Sequence, residues 1–145
     1  MPPTPDAVDA VSPKTKLPGE SLIFGCDFTR LLKPAETLTA VVSILCSNND
    51  GTLTIGAATV NAATFYDDSL PALAVAIGMG VQCTISGGTS PTAAAIAAAI
   101  AAGTAYAGQL LQINGVWYTA YLLQILVTTS NAQTRGVDCT LLVRG

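Results

Sequence analysis

The chain contains no histidine, and few of its residues carry a charge. Only 10% of its 145 residues are Asp, Glu, Lys or Arg, against about 25% in an average soluble domain. Without histidine the commonest general base is missing, and neither a Ser-His-Asp nor a Cys-His arrangement can form. Most zinc and iron sites also require histidine. We therefore expect no enzyme, with no catalytic residues, no cofactor and no metal site.

Charge is missing altogether from a long central stretch, since no Asp, Glu, Lys or Arg lies between Asp68 and Arg135. The six basic residues are dispersed, and the net charge is −3. A nucleic-acid-binding protein should carry a basic stripe with interleaved aromatic residues, so direct binding of DNA or RNA is not expected. The cores of subunit interfaces are depleted of charge. The composition therefore favours contact with other protein subunits.

The few cysteines do not form a known motif. No two of them have CxxC spacing, so a structural zinc site is not indicated. The N-terminus has early Pro and Asp residues and no apolar h-region, so no secretory signal is indicated. Two disulfides are the alternative, but we expect reduced, buried thiols that act as small apolar side chains. The cysteines are Cys26, Cys46, Cys83 and Cys139.

The first eighteen residues differ in pattern from the rest of the chain. Residues 1–18 are rich in proline and show little hydrophobic periodicity, which predicts an extended N-terminal arm that lies across a neighbouring subunit. Pro2, Pro3 and Pro5 are the expected contact residues in this arm. Removal of residues 1–17 is expected to weaken assembly and to leave the fold intact.

From residue 19 onward the pattern is that of a single β-rich domain, which is expected to cover residues 19–145. Apolar residues alternate in the first strand, so that Leu22, Phe24, Cys26 and Phe28 share one face. Turn signals such as Asn114-Gly115 separate the later segments. Seven or eight strands at this spacing predict a mainly β protein built as a β-sandwich. The further strand segments are residues 37–47, 52–60, 81–86, 109–113, 116–128 and 134–143.

One Ala-rich helix is expected inside an insertion at about residues 90–116. Alanine is the best helix former, and the segment 91–102 contains little else. Ser90 is the expected N-cap, a proline follows as the first helical residue, and Gly103 fits the C-cap. Ile96 and Ile100 are four residues apart and are expected to contact a partner from one helix face.

A membrane span is the alternative interpretation of this uncharged stretch. A transmembrane helix needs about 20 apolar residues, whereas glycine, threonine and glutamine residues interrupt the segment 91–113. A packed or interface helix is therefore favoured, and no contact with a membrane is expected.

Aromatic residues cluster in one part of the chain. Exposed aromatic rings can stack on sugars, so a carbohydrate-binding module is one hypothesis. In the favoured interpretation, alternate members pack in the core and the others lie in a subunit contact. The members of the cluster are Tyr106, Trp117, Tyr118 and Tyr121.

Three short motifs carry a resemblance to a known family. Residues 18–20 read Pro-Gly-Glu, residues 24–28 end in Asp-Phe, and residues 31–37 read Leu-Leu-Lys-Pro-Ala-Glu-Thr. These motifs resemble the fiber–tail adaptor proteins of bacteriophages. That family opens with Pro-Gly-Glu or Pro-Asp-Glu and has an Asp-aromatic strand end and a Leu-x-Pro-Gly-(Glu/Asp)-Thr turn. Ala35 stands where the family has glycine.

The resemblance extends over roughly residues 18–55, 81–90 and 119–144. It includes Ile-Ser-Gly-Gly-Thr near residue 87 and two segments of the closing hairpin. The chain departs from the family in extra residues around 61–80 and in the long insertion after residue 90.

The resemblance implies an immunoglobulin-like β-sandwich in the phage neck or tail, to which the Ala-rich segment is expected to add one inserted helix. The implied function is that of a virion structural protein that joins the neck or tail to tail fibers. Its partners would be other copies of itself and other neck, tail, fiber or capsid proteins. The chain would be made in the host cytoplasm and reside in the virion. Capsid decoration, in which the module cements capsomers, is the alternative role.

Overall fold

A computed structural model of the chain describes residues 14–66, 73–104, 106–107 and 109–145. Over these residues the protein is mainly β, with one α-helix and a short 3-10 helix at Thr29–Leu31. The expected fold class, a β-sandwich-like fold with a single helix, is confirmed.

The larger sheet contains β1 (Lys14–Lys16), β3 (Leu38–Cys46), β9 (Tyr106–Ala107), β10 (Leu110–Ile113), β11 (Val116–Thr129) and β12 (Thr134–Arg144). Strand β11 is its centre and pairs antiparallel with β12 on one side. On its other side β11 pairs with β10 near its start and with β3 near its end. Strand β1 adds to β12 in parallel, and β9 adds to β10.

The smaller sheet contains β2 (Leu22–Asp27), β4 (Leu53–Ile55), β5 (Thr59–Val60) and β8 (Gly80–Gly87). Strand β8 pairs with β2 on one side and with β4 and β5 on the other. The six main strands, lettered B to G in chain order, are β2, β3, β4, β8, β11 and β12. The strand order is then B-E-D in the smaller sheet and C-F-G in the larger sheet. This is the strand pairing of an immunoglobulin-like sandwich.

A separate hairpin packs against the outer face of the smaller sheet. It consists of β6 (Phe65–Tyr66) and β7 (Ala74–Val75). The ring of Phe65 lies so close to Gly25 and Gly80 that a β-carbon there would come within 2.8 Å of it. Two glycines thus make the space into which the hairpin inserts its aromatic ring.

The core lies between the inward faces of the two sheets. Phe24 and Phe28 are buried, and Leu22 and Cys26 pack against the same cluster, so the predicted apolar face of the first strand is confirmed. Strand β11 supplies alternate residues from the opposite sheet. Its core side chains are Tyr121, Leu123, Ile125 and Val127.

The cysteines form no disulfide among the described residues. Cys83 is buried in the core cluster, while Cys26, Cys46 and Cys139 are partly buried and pack against it. Burial raises the pKa of the Cys83 thiol to about 11, because a thiolate is poorly solvated there. These cysteines are therefore apolar core residues, as the sequence predicted.

The one α-helix among the described residues, α1 (Ala93–Ala102), begins later than expected. Its N-cap is Thr92, whose side-chain oxygen accepts the Ala95 N–H at 3.1 Å, so the prediction of Ser90 as the cap was wrong. Thr92 has extended backbone and can bond a free N–H of the first turn. Gly103 ends the helix at φ 69°, as predicted.

The predicted arm overlaps the sandwich at its last residues, because Lys14–Lys16 forms a sheet strand. The Lys16 side chain is 2% exposed. Its ammonium group donates to the carbonyl oxygens of Leu17 and Gly87, which attaches β1 to the end of β8. Residues 1–13 lie outside the described part of the chain.

The turn before β3 adopts an unusual backbone. Ala35 has φ 66°, in the left-handed region, which glycine adopts without strain. The buried Glu36 carboxylate accepts the Lys33 N–H at 2.9 Å, and this hydrogen bond lowers the pKa of Glu36. The side chain thereby closes the turn.

Candidate functional site

No group of three or more Cys, Asp or Glu side chains among the described residues is placed to hold a metal ion. No helix among the described segments is long and apolar enough to cross a membrane. The distinctive surfaces are instead uncharged and apolar.

The most distinctive of these surfaces is the outward side of α1, which we call the helix surface. Only Ala99 is buried in α1 and only Ile96 is partly buried, so the other eight residues are exposed. Ile100 is 64% exposed. The two isoleucines therefore differ in exposure, since Ile96 is partly buried while Ile100 projects from the helix. The helix surface consists of Ile100 and seven alanines and carries no charge.

The start of the helical insertion is fixed by a buried tyrosine. Tyr121 is fully buried in β11, and its hydroxyl group accepts the Thr89 N–H at 2.9 Å. The same hydroxyl donates to Asp50 Oδ2 at 3.0 Å. This contact joins the loop after β3, the segment after β8 and the centre of β11. A tyrosine on the corresponding strand of immunoglobulin-like domains also bonds to upstream backbone.

Asp50 is held in turn by its own loop. Asp50 Oδ1 accepts the Thr52 backbone N–H at 3.1 Å and also the Thr52 hydroxyl. The hydroxyl of Thr52 is the main reason that the pKa of Asp50 is lowered. The carboxylate therefore stays ionised as an acceptor for Tyr121.

The end of the insertion is fixed by two amide side chains. Strands β3 and β10 lie on the same side of β11, and Asn48 fills the gap between them. Its Nδ2 donates to Ala120 O at 3.0 Å, and its Oδ1 accepts the Leu122 N–H at 2.9 Å. Gln109 Nε2 donates to Asn48 O at 2.7 Å. The side chain of Asn48 thus continues the hydrogen-bond ladder where backbone pairing is interrupted.

The sequence analysis left Asn48 between the predicted strand segments 37–47 and 52–60, and it placed Gln109 only at the start of the predicted strand 109–113. Both residues are amides at the ends of β-rich segments, and such side chains can imitate a backbone peptide. An amide side chain at the end of a β-rich segment is therefore the feature of the sequence that could have indicated this role. The role itself becomes visible only in the structure, where β3 and β10 both pair with β11.

The predicted aromatic cluster is divided by the structure. Tyr121 lies in the core, while Trp117 and Tyr118 are both partly buried. Because neighbouring residues in a strand point to opposite faces, Tyr118 faces away from Trp117 and Tyr121. The rings of Trp117 and Tyr118 therefore lie on opposite faces of β11.

The structure describes little of the remaining predicted contact residues. Tyr106 lies in β9, but its side chain is outside the description. Pro2, Pro3 and Pro5 precede the described residues.

A further exposed apolar patch lies on the outer face of the larger sheet. Leu45 and Leu122 are both exposed. Leu45 pairs with Gln124, which is two residues from Leu122 and therefore on the same face. Val42 is exposed at a register shift in β3 nearby.

Comparison with known proteins adds no relative. No protein-family model matches the chain, and no curated protein matches it.

Proposed function

We propose that this chain is a structural protein of a bacteriophage particle that acts by subunit contact, as an adaptor joining the neck or tail to tail fibers. The observation that carries the proposal is the helix surface, which presents Ile100 and seven alanines without a single charged side chain. The motif resemblance at residues 18–37 supports the phage assignment.

The mechanism follows from the apolar character of the helix surface and from the stiffness of the sandwich that carries it. Apolar surface that is removed from water contributes about 25 cal/mol per Å², and an uncharged surface incurs no charge desolvation when a partner covers it. The sandwich supplies a stiff support, since Tyr121 at one end of the insertion and Asn48 at the other hold it in place. The partners would be other copies of this chain and other virion proteins.

The first experiment compares Ile100→Lys with Ile77→Lys. Both side chains are exposed, at 64% and 60%, but Ile77 lies in the turn after β7 and away from α1 in sequence. We expect both variants to fold as the unaltered protein does, with the same melting temperature. Only Ile100→Lys should lose incorporation into phage particles, because the ammonium group would have to be buried in the contact.

Particle incorporation is measured by mass spectrometry of purified particles from cells that express each variant. Normal incorporation of Ile100→Lys would contradict a contact through the helix surface. Light scattering on the purified protein separates the roles, because a ring of about six or twelve copies is expected at a neck and a trimer in capsid decoration.

A further inference from the structure

The asparagines of the chain differ in how open they are to spontaneous deamidation. In this reaction the backbone nitrogen of the next residue attacks the side-chain amide carbon. The reaction is fastest before glycine, because glycine has no β-carbon that hinders the attacking nitrogen. The asparagines are at positions 48, 49, 61, 114 and 131, and only Asn114 precedes a glycine.

Three of the other asparagines hold their side-chain amides in hydrogen bonds. Asn48 Nδ2 donates to Ala120 O at 3.0 Å, and Asn49 Nδ2 donates to Leu53 O at 3.0 Å. The buried Asn61 side chain bonds to several backbone groups of its own region. An amide that is held in this way is not free to turn toward the next backbone nitrogen.

Asn114 is free at both of the atoms that would react. It lies with Gly115 in the exposed turn between β10 and β11. Both residues have positive φ, at 50° and 79°, as a type I′ turn requires. Among the described residues, the side-chain amide of Asn114 makes no hydrogen bond and the Gly115 N–H has no backbone acceptor. Water therefore reaches both the amide carbon and the attacking nitrogen.

Asn131 provides a comparison within the same chain. It is also exposed, and it lies in the turn between β11 and β12 before a residue of positive φ, Ala132 at 59°. Ala132 carries a β-carbon, however, and its N–H donates to Thr129 O at 2.9 Å. The nitrogen that would attack Asn131 is thus hindered and already hydrogen-bonded.

We propose that Asn114 is a self-modification site, at which the folded chain deamidates in water. The Gly115 nitrogen gives up its proton and bonds to the side-chain carbonyl carbon of Asn114. The bond from that carbon to the amide nitrogen breaks, and ammonia leaves with the proton. The resulting succinimide ring takes up a water molecule. Opening at the side-chain carbonyl gives aspartate, and opening at the main-chain carbonyl gives isoaspartate.

The two products change the hairpin in different ways. Aspartate followed by glycine also suits a type I′ turn, so this product keeps the turn. Isoaspartate adds a carbon atom to the main chain. Because the length of the turn fixes the register of a hairpin, the pairing of Ile113 with Val116 is then disturbed. Either product places a negative charge between Asp68 and Arg135, where the sequence has no charged residue.

The test is peptide mapping by mass spectrometry of the purified full chain after incubation in mildly alkaline buffer, where the amide proton is removed faster. We expect the peptide that contains Asn114 to gain the mass difference between an amide and an acid. A methyltransferase specific for isoaspartyl residues should label the same peptide. The peptide that contains Asn131 should not change over the same time.

Two variants check the chemistry. Gly115→Ala should slow the reaction, because a β-carbon hinders the nitrogen, and the space for this β-carbon is open for 4 Å. Asn114→Gln should abolish it, because the ring that a glutamine closes is larger and forms slowly. Circular dichroism and the melting temperature establish that both variants are folded. The two peptides of the unaltered chain decide the proposal even if a variant does not fold.

A parallel incubation in guanidinium chloride separates the effect of the fold from that of the sequence. Reaction of Asn114 only in the denaturant would overturn the proposal, because the turn would then protect the site. Equal reaction of Asn114 and Asn131 in the folded chain would also overturn it. The proposal does not depend on the helix surface or on a role in phage particles.

Discussion

At the scale of single residues, two positions show how local chemistry decides the fold. Ala35 adopts a left-handed backbone at φ 66°, which costs an L-residue about 1–2 kcal/mol. Glycine has no such cost because it lacks a β-carbon. The alanine here therefore retains strain that a glycine would not carry.

Replacement of Ala35 by glycine should stabilise the protein by about 0.5–1 kcal/mol, since relief of the strain exceeds the added entropy of the unfolded chain. The free energy of unfolding in urea measures this effect. The matched control is Ala40→Gly in β3, where the same change should lower stability because Ala40 does not have a left-handed φ. Equal effects of the two changes would show that Ala35 is not strained.

The second decisive residue is Tyr121, whose hydroxyl joins three segments. Tyr121→Phe keeps the ring in the core but leaves the Thr89 N–H and the Asp50 carboxylate without this partner. We expect a loss of about 1–3 kcal/mol in the free energy of unfolding. Hydrogen exchange of the Thr89 amide should become faster. Tyr118→Phe on the opposite face is the control, and an equal loss there would count against the role of Tyr121.

At the scale of elements, the first strand shows where reasoning from sequence pattern ends. Lys14–Lys16 precedes the region of clear alternation, and its two lysines and neighbouring prolines are typical of an arm. Its place in the sheet depends on parallel pairing with β12, more than 120 residues away in sequence. Such non-local pairing has no local signature.

A comparison of two truncations tests the role of β1. Removal of residues 1–17 deletes this strand and the buried ammonium of Lys16, whereas removal of residues 1–13 retains both. We expect the longer deletion to be about 1–3 kcal/mol less stable than the shorter one, as measured by urea unfolding. Equal stability of the two would mean that β1 contributes nothing to the sandwich. The sequence analysis expected removal of residues 1–17 to leave the fold intact. Because β1 pairs with β12, we now expect this deletion to lower the stability of the sandwich.

The long elements were the most predictable part of the fold. The strands around Phe24, Ile44, Ile125 and Leu141 all lie within predicted segments, because apolar alternation sets them directly. The turn at Asn114-Gly115 has φ 50° and 79°, as its sequence predicted. The two-residue strand β9 was not predicted, since a pair of residues carries no periodicity, and the predicted segment 52–60 contains two short strands, β4 and β5.

At the scale of the whole molecule, the sandwich and its insertion have different roles. The strands supply the core, and the inserted helix supplies an uncharged outer surface. The sequence predicted both parts and placed Ile100 among the contact residues. It did not predict that Ile96 is partly buried while Ile100 is exposed, because an i, i+4 spacing shows which residues share a face but not how deeply each is buried.

The attachment of the insertion by side chains at both ends has an evolutionary consequence. Tyr121 holds its start and Asn48 with Gln109 holds its end, while most of α1 makes no contribution to the core. Mutations on the outward side of α1 can therefore accumulate at little expense in stability. A lineage that meets a new neighbouring protein can remodel this helix while it inherits the sandwich unchanged.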